Sequence, residues 1–271
     1  MNLVAALLSA LRALGTNWLR SVLTMLGIII GVGAVITMIA IGGGARQRID
    51  EQMKGLGSNI MLVLPGPVTS SGVRLGAQTG QTLTEEDARA IVADVPEVQA
   101  VAPSLRTGAQ VVAANANWGT TVMGTTPDYP DVRDWPLAAG RNFDEVEMAG
   151  SAKVAVIGLT VAQQLFADAD PIDQVIRVRR VPLQVIGVVS RKGQNSMGQD
   201  QDDVIVVPLS TFRNRVQGMS AGRIKRVGGI TVKVREGQSM QDAEQKIREL
   251  LRQRHRLQSG AEDDFSIRNL T

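Results

Sequence analysis

The sequence predicts an α+β protein in which one N-terminal transmembrane helix carries an extracytoplasmic domain. Three observations lead to this class. The twenty residues from Val22 to Ile41 contain no charged side chain, and a helix of that length spans about 30 Å, the thickness of a bilayer's hydrocarbon core. The rest of the 271-residue chain is polar enough for water. Strand and helix patterns alternate along it, which indicates a mixed domain.

Composition excludes several classes of function. The chain has no cysteine, so disulfides and thiolate metal sites are excluded. A net charge of +3 with 3% aromatic residues argues against nucleic acid as a partner, because such proteins need basic surfaces or aromatic stacking platforms. We expect no cofactor and no metal in this chain.

The first twenty residues predict an amphipathic helix in the membrane interface. Leucines recur there at steps of three or four. Arg12, Trp18 and Arg20 are the candidate interface residues, because such side chains settle at the headgroups. A cleaved signal peptide stays open as an alternative, since small residues follow at 42–45, although the apolar run is longer than a usual signal core.

Gly27, Gly31 and Ala34 lie on one face of the predicted membrane helix. Small residues at this spacing let a second helix approach closely. The alternative is that glycine is simply frequent in membrane helices.

The next segment reads as β-α-β. A short buried strand is predicted at 60–64, a helix follows from Thr84 as N-cap, and strands follow at 98–102 and 110–114. The helix is predicted to turn three residues inward, namely Ala88, Ile91 and Val92.

The middle of the chain is predicted to be mainly β. Its strands are expected at 154–157, 174–179, 183–189 and 204–207, with a helix at 160–167. A polar loop without periodicity covers 191–203, and loops of this length are often functional. The β-α-β pattern then returns at 230–234, 240–257 and 265–270.

The last predicted helix has one basic face. Two interpretations stay open for it, a solvated surface or a contact with phosphates or lipid headgroups, and mixed charge favours the first. His255, the single histidine of the sequence, is predicted to lie on the surface. The basic residues are Arg248, Arg252, Arg254, His255 and Arg256.

The sequence lacks the motifs of common catalytic sites. No phosphate-binding G-x-x-x-x-G-K-[ST], G-x-S-x-G or H-E-x-x-H occurs. Adjacent acids are explained by helix starts and turns more simply than by catalysis. We therefore expect no enzyme activity. The pairs are Glu85-Glu86, Asp202-Asp203 and Asp263-Asp264.

Four stretches together resemble the MacB-like, FtsX-like permeases of ABC transporters. They are RSVLTMLGIIIGVGAVITMIAIGGGARQRI, LGSNIMLVLPG, RKGQNSMGQDQDDVIVVPLST and DFSIRNLT. The resemblance covers essentially the whole chain, and the four motifs occur in the family's order. It departs from the family at Asp173, where a turn usually carries glycine, and aspartate tolerates the same backbone geometry.

The resemblance implies a domain organisation in the bacterial inner membrane. The N-terminus is expected in the cytoplasm and the main domain outside, with one pass in this chain. A porter-like part is split by a mainly-β insertion, and Ala45–Lys54 extends the membrane helix as a stalk. The implied segments are an interfacial helix (1–20), membrane helix and stalk (21–54), first porter half (55–117), insertion (118–228) and second porter half (229–271).

The resemblance also implies partners. These are a separate ABC ATPase subunit holding ATP and Mg, a second permease copy and a periplasmic adaptor. The exposed loop 194–203 is the candidate adaptor contact. The chain begins without a nucleotide-binding domain and ends where related permeases continue into further helices, so we expect a fragment or truncated product. The adaptor candidates are Gln194, Asn195, Met197 and Asp200.

Two other classes stay open. One is a membrane-tethered binding or sensor module that works without an ATPase. The other is a regulator of the cell-division type, FtsX-like, that couples the same motion to cell-wall hydrolases. The sequence names no substrate, because no pocket can be assembled from one chain by pattern alone.

Overall fold

A computed structural model describes residues 18–55, 59–66, 69–70, 73–74, 82–113, 116–195, 198–218, 225–258 and 260–270. The chain divides into two compact units at Lys54 and Gly55. Most of the predicted interfacial helix, including Arg12, lies outside the described residues. Each unit is considered by itself.

The first unit is helix α1, Trp18–Gly55. Its segment Trp18–Ile39 is long and apolar enough to cross a membrane, and none of that stretch is buried against other parts of the protein. A helix satisfies its own backbone hydrogen bonds, which a segment in lipid requires. The helix runs on through 45–54, the segment predicted to continue it.

The second unit is a mixed α/β domain. Its described strands are β1 (Ile60–Pro65), β2 (Thr69–Ser70), β3 (Val73–Arg74), β4 (Val98–Ala113), β5 (Ala116–Thr125), β6 (Leu137–Gly140), β7 (Val154–Ile157), β8 (Val175–Val178), β9 (Val181–Val189), β10 (Val204–Pro208), β11 (Gly229–Val234) and β12 (Phe265–Asn269). Its described helices are α2 (Glu85–Asp94), α3 (Tyr129–Val132), α4 (Glu145–Ala149), α5 (Leu159–Phe166), α6 (Leu209–Thr211), which continues as a π-helical turn (Phe212–Val216), and α7 (Met240–Arg254).

One half of the domain is a split β-α-β arrangement. Its strands lie in the order β12-β1-β11-β4, and every neighbouring pair is antiparallel. Helices α2 and α7 supply the crossovers and bury Ile91 and Ile247 in one core with the strands. The six elements follow one another in the order β-α-β-β-α-β, namely β1, α2, β4, β11, α7 and β12. This is the ferredoxin-like topology.

The other half closes on itself. Among the described residues, β4 pairs with β5, β5 with β10, β10 with β7, β7 with β9, β9 with β8, and β8 again with β4. This ring of pairings leaves β6 as an edge strand on β9. Inward residues such as Val111, Ile176 and Ile205 are fully buried, and α5 packs Val161 and Leu165 against them.

Strand β4 belongs to both halves. Its residues 98–104 pair with β11, and 104–113 pair with β5. Two separate strands at 98–102 and 110–114 were predicted, and this is wrong because Gly108 lies within a continuous ladder instead of breaking it. The sheet is therefore continuous across the domain.

Helix α2 begins as predicted. The Thr84 hydroxyl accepts a hydrogen bond from the Asp87 amide, and the Asp87 carboxylate accepts one from the Thr84 amide, which completes a capping box. The inward face differs at one position: Ala88 and Ile91 are buried, whereas Val92 is 43% exposed. The buried face of the helix also includes Asp87 and Ala90, so it is centred away from Val92.

The turn at Asp173 has the geometry expected of it. Asp173 has φ of 62°, in the left-handed region that favours glycine and is tolerated by aspartate. Its carboxylate accepts a hydrogen bond from Gln184 Nε2 at 3.0 Å, and its amide donates to the Val185 carbonyl at 2.8 Å. The turn before β8 is thus kept without glycine.

Candidate functional site

The small-residue face of α1 is open. Around Gly27 and Gly31 no atom lies within 4 Å of an added Cβ position, and the face that Ala34 continues is exposed. Trp18 is 65% exposed, and Arg20 is exposed as well. Nothing within the described chain covers this face, so its packing role stays a prediction.

The candidate adaptor loop has an ordered base and an exposed tip. Asp202 is buried, and its two carboxylate oxygens accept the Lys192 and Gly193 amides at 2.7 and 2.9 Å. The Asp200 carboxylate accepts the Asp202 amide at 2.9 Å. Among the described residues of this loop, Gln194 and 198–200 are exposed as predicted, whereas the prediction is wrong for Asp202, which is the internal acceptor for two backbone donors.

Hydrogen bonds join the two sides of the loop near its tip. The Asn195 amide donates to the Gln199 carbonyl, and the Gln199 amide donates to the Asn195 side chain, both at 2.9 Å. Gln194 and Asp200 form an isolated antiparallel bridge at its base, and both are exposed, whereas Asn195 is half-buried. Met197 lies outside the described residues.

Two contacts fasten the loop, one to strand β5 and one to helix α5. Trp118 Nε1 donates to the Asp203 carboxylate at 2.9 Å, and the Thr160 hydroxyl donates to the Asp200 carboxylate at 2.6 Å. Thr160 lies in the first turn of α5, so the loop and that helix hold a small cavity of about 250 Å³ between them. Both contacts are made by the returning side of the loop, at Asp200 and Asp203.

Lys192 is a functional candidate that the sequence did not single out. Its ammonium lies 5.5 Å from the centre of the Trp135 ring and donates to the Arg133 carbonyl. Burial, followed by the positive charge of Arg133, lowers the pKa of Lys192 to about 8. The group stays mainly protonated at neutral pH and holds the loop base against α3.

The His255 side chain is only 11% exposed and lies between two acids, so its prediction as a solvated surface residue is wrong. Its Nδ1 lies 2.7 Å from an Asp264 carboxylate oxygen, and its Nε2 lies 3.3 Å from one of Asp87. The hydrogen bonds with Asp264 and then Asp87 outweigh burial and raise the pKa of His255 to about 9. The doubly protonated ring can donate to both acids at once.

Asp87 is the acceptor at the centre of this cluster. It accepts from Arg254 Nε at 2.7 Å and from the Thr84 hydroxyl at 2.7 Å, in addition to His255. Burial alone raises the pKa of the Asp87 carboxyl, but the hydrogen bonds from His255, Arg254 and Thr84 together hold it well below its usual range. The cluster joins the start of α2 to the end of α7.

The basic face of α7 is largely neutralised within the domain. Arg248 and Arg252 both form ion pairs with Asp263, and Arg248 also pairs with Glu244 at 2.7 Å. Arg254 is likewise paired with Asp87. These ion pairs favour the interpretation of the basic face as a structural surface and not as a binding site for phosphate.

We expect stability to fall as the pH rises from about 6.5 to about 9. His255 has a pKa of about 9 in the native state and 6.5 as a free side chain, so the native state binds the proton more tightly. The resulting stabilisation of the native state is complete below pH 6.5 and is lost above about pH 9. The change is about 2 kcal/mol after allowance for partial solvent contact. Urea unfolding at pH 6.0, 7.5 and 9.5 measures it. His255→Gln should remove this slope, and an unchanged slope in that variant would assign it to other groups.

The two halves of the domain are joined by a nearly buried ion pair. Arg213 in the π-helical turn donates to Glu85 at the start of α2 at 2.6 Å, and the two side chains are 11% and 13% exposed. Arg213 also donates to the Arg226 carbonyl at 3.2 Å. Lys225 and Arg89 lie 3.9 and 4.0 Å from the same carboxylate.

Beside this pair lies a cleft of about 870 Å³. Helix α2 forms one wall, α4 and α6 form the other, and residues at the start of β4 form the floor. Val92, which was predicted to face the core, lines this cleft. Its volume is within the range of about 300 to 1,000 Å³ typical of small-molecule sites.

No catalytic site is evident among the residues that the structure describes. No group of three or more His, Asp or Glu side chains is arranged for a metal among these residues. Asp87, Asp263 and Asp264 are paired with the basic side chains of α7 and with His255.

These features define an extramembrane α/β domain attached to a candidate membrane-spanning helix. A family model for the MacB-like periplasmic core domain matches residues 21–250. The chain therefore belongs to the MacB-like periplasmic core domain family.

Similar proteins agree with this assignment. A macrolide export ATP-binding/permease protein MacB of Azoarcus sp. is 40% identical over 269 residues, which are 99% of this chain and 39% of that protein. The protein of the same name from Chlorobaculum tepidum is 38% identical over 100% of this chain and 41% of its own length. The chain thus spans about two fifths of the length of these curated relatives.

Solved structures give the same fold. The periplasmic region of MacB from Actinobacillus actinomycetemcomitans aligns with a TM-score of 0.65 and 27% identity, over 80% of this chain and 92% of that one. The extracellular domain of the noncanonic ABC-type transporter YknZ from Gram-positive bacteria aligns with a TM-score of 0.59 and 18% identity, over 78% and 100%. The second likeness concerns the fold alone.

Proposed function

We propose that this chain is the permease component of a MacB-type ABC transporter. In this role it passes movement driven by ATP hydrolysis to the extramembrane domain, which extrudes a substrate. The observation that carries the proposal is the succession, in one chain, of a candidate membrane helix and a domain of the MacB-like periplasmic core family. The relatives' name, macrolide export ATP-binding/permease protein, favours export as the use of that movement.

The proposed location is the bacterial inner membrane. The N-terminus lies in the cytoplasm, where a separate ABC ATPase subunit binds ATP and Mg, and the α/β domain lies outside. The anchor supports this arrangement, since α1 continues as a helix beyond the apolar stretch and can carry displacement along its axis. Stiffness of this kind suits a stalk.

The proposed transporter contains two copies of this permease, packed through the small-residue face of α1. Gly31→Leu should weaken association of the helix several-fold in a membrane two-hybrid assay, because the added side chain separates the backbones. Gly33→Leu is the matched control, because position 33 lies about 200° around the helix from position 31 and is equally open. Equal association of the two variants would remove the packing role of this face.

The tip of the 194–203 loop is proposed to contact a periplasmic adaptor protein. Its exposure supports the proposal, as does the fixed base, because an ordered base presents the tip in one position. A photo-crosslinking residue in place of Gln194 should capture the adaptor in native membranes. The same residue in place of Arg106, an exposed position on β4, serves as the control and should not.

The proposal as a whole is tested by affinity purification of the full-length gene product from native membranes. Recovery of an ABC ATPase is the expected result. If no ATPase is recovered under conditions that keep the membrane complex intact, the tethered binding module becomes the better account. Recovery of a cell-wall hydrolase with the ATPase would instead favour the FtsX-type regulator.

A further inference from the structure

The cleft beside α2 combines an apolar lining with one charged corner. On its α2 wall, Ala88 and Val92 lie one turn apart and face Met148 of α4 and Leu209 of α6. Val92 remains 43% exposed, so its side chain is available to a molecule in the cleft. Six charged side chains, three of each sign, also line the cleft, and an apolar strip with polar groups at defined positions is typical of a small-molecule site.

The charged corner has an excess of positive charge. Arg213, Lys225 and Arg89 converge on the single carboxylate of Glu85, at 2.6, 3.9 and 4.0 Å. Within the described residues these are the only ion pairs that the three cations make, so two positive charges remain uncompensated there. Arg89 and Lys225 are 77% and 62% exposed, and their side chains are free to turn toward a bound anion.

The rest of the cleft limits the charge of what binds. Asp128 and Glu145 also line it, on the side of α3 and α4 away from α2. A second negative charge on a ligand would lie near these acids and be repelled. The combination therefore selects one anionic group at the α2 end with an uncharged body behind it.

We propose that this cleft binds an amphipathic molecule carrying a single carboxylate or sulfonate. The anionic group lies between Arg89 and Lys225, and the apolar body lies along Val92, Met148 and Leu209. Arg213 stays paired with Glu85 and supplies the fixed charge of the corner. This assignment goes beyond the transport function proposed above and does not depend on it.

The test uses the full chain in nanodiscs of zwitterionic phosphatidylcholine. The probe is 11-(dansylamino)undecanoate, a monoanion whose fluorescence shifts to the blue in apolar surroundings. Saturable binding above the background of empty nanodiscs is the expected result. The methyl ester of the probe, which lacks the charge, should bind at least 10-fold more weakly.

Two double variants locate the site. Arg89→Gln with Lys225→Gln should weaken binding at least 10-fold. Arg106→Gln with Arg180→Gln, two exposed positions outside the cleft lining, removes the same total charge and should leave binding unchanged. Val92→Trp should fill the apolar strip of the cleft and prevent binding. The fold should be kept, because Val92 is 43% exposed.

Several results would overturn the assignment. These are no saturable binding to the unaltered chain, equal binding of the ester, or equal weakening by both double variants. Unchanged binding by Val92→Trp would place the probe elsewhere on the protein. Because the readout needs no ATPase, it succeeds or fails independently of the transport proposal.

Discussion

Replacing Asp87 with alanine is expected to lower the free energy of unfolding of the extramembrane domain by about 4 kcal/mol. Asp87 is 3% exposed and accepts hydrogen bonds from Arg254, His255 and Thr84. Its removal leaves a guanidinium and an imidazolium without their partner and also destroys the capping box of α2. Urea unfolding in non-ionic detergent, followed by the fluorescence of the buried Trp135, measures the loss.

Two further variants make this result specific. Asp94→Ala removes an exposed acid from the same helix and should change the free energy by less than about 0.5 kcal/mol. Asp87→Asn keeps one acceptor oxygen but not the charge, so it should fall between the two. If Asp87→Ala cost no more than Asp94→Ala, the cluster would not hold α2 to α7.

Replacing Arg213 with methionine should cost about 3 kcal/mol. The change leaves the nearly buried Glu85 with only the longer contacts to Lys225 and Arg89, and it removes the bond to the Arg226 carbonyl. Because this pair joins the ferredoxin-like half to the ring of strands, the loss should also broaden the unfolding transition. The same urea experiment reports both effects.

A double-mutant cycle isolates the pair itself. Glu85→Gln, Arg213→Met and the double variant give the coupling energy, which should exceed about 1 kcal/mol. Arg215→Met is the matched control, since Arg215 lies in the same π-helical turn and makes one neutral hydrogen bond, to the Ser151 carbonyl. A coupling near zero would show that this ion pair adds nothing to the shared strand β4 and the apolar contacts that already join the two halves.

Local patterns predicted most elements of this fold. The strands at 154–157 and 204–208 and the helices α5 and α7 begin within one residue of their predicted positions, because apolar periodicity and helix caps are local signals. The Thr84 cap is such a case. Only the resemblance to a known family implied that the β-α-β segments at the two ends belong together.

The features that sequence reasoning missed depend on tertiary contacts and loop conformation that no local pattern reveals. His255 was placed on the surface because its neighbours are arginines, yet one of its partners, Asp87, is 168 residues away. Lys192 gives no local signal either, because its low pKa comes from burial beside Trp135. Asp202 looked like one more acid in a polar loop, and only the folded loop shows which amides it binds.

The order of strands also determines how this domain can be made. β1 is the first described strand of the second unit, but its two neighbours, β11 and β12, begin only at Gly229 and Phe265. As the chain emerges from the ribosome, all strands of the ring are synthesised before either partner of β1. The ferredoxin-like half therefore closes last, with high sequence separation between its contacts, which slows folding. Until then β1 exposes two unpaired edges, a template for misassembly during synthesis.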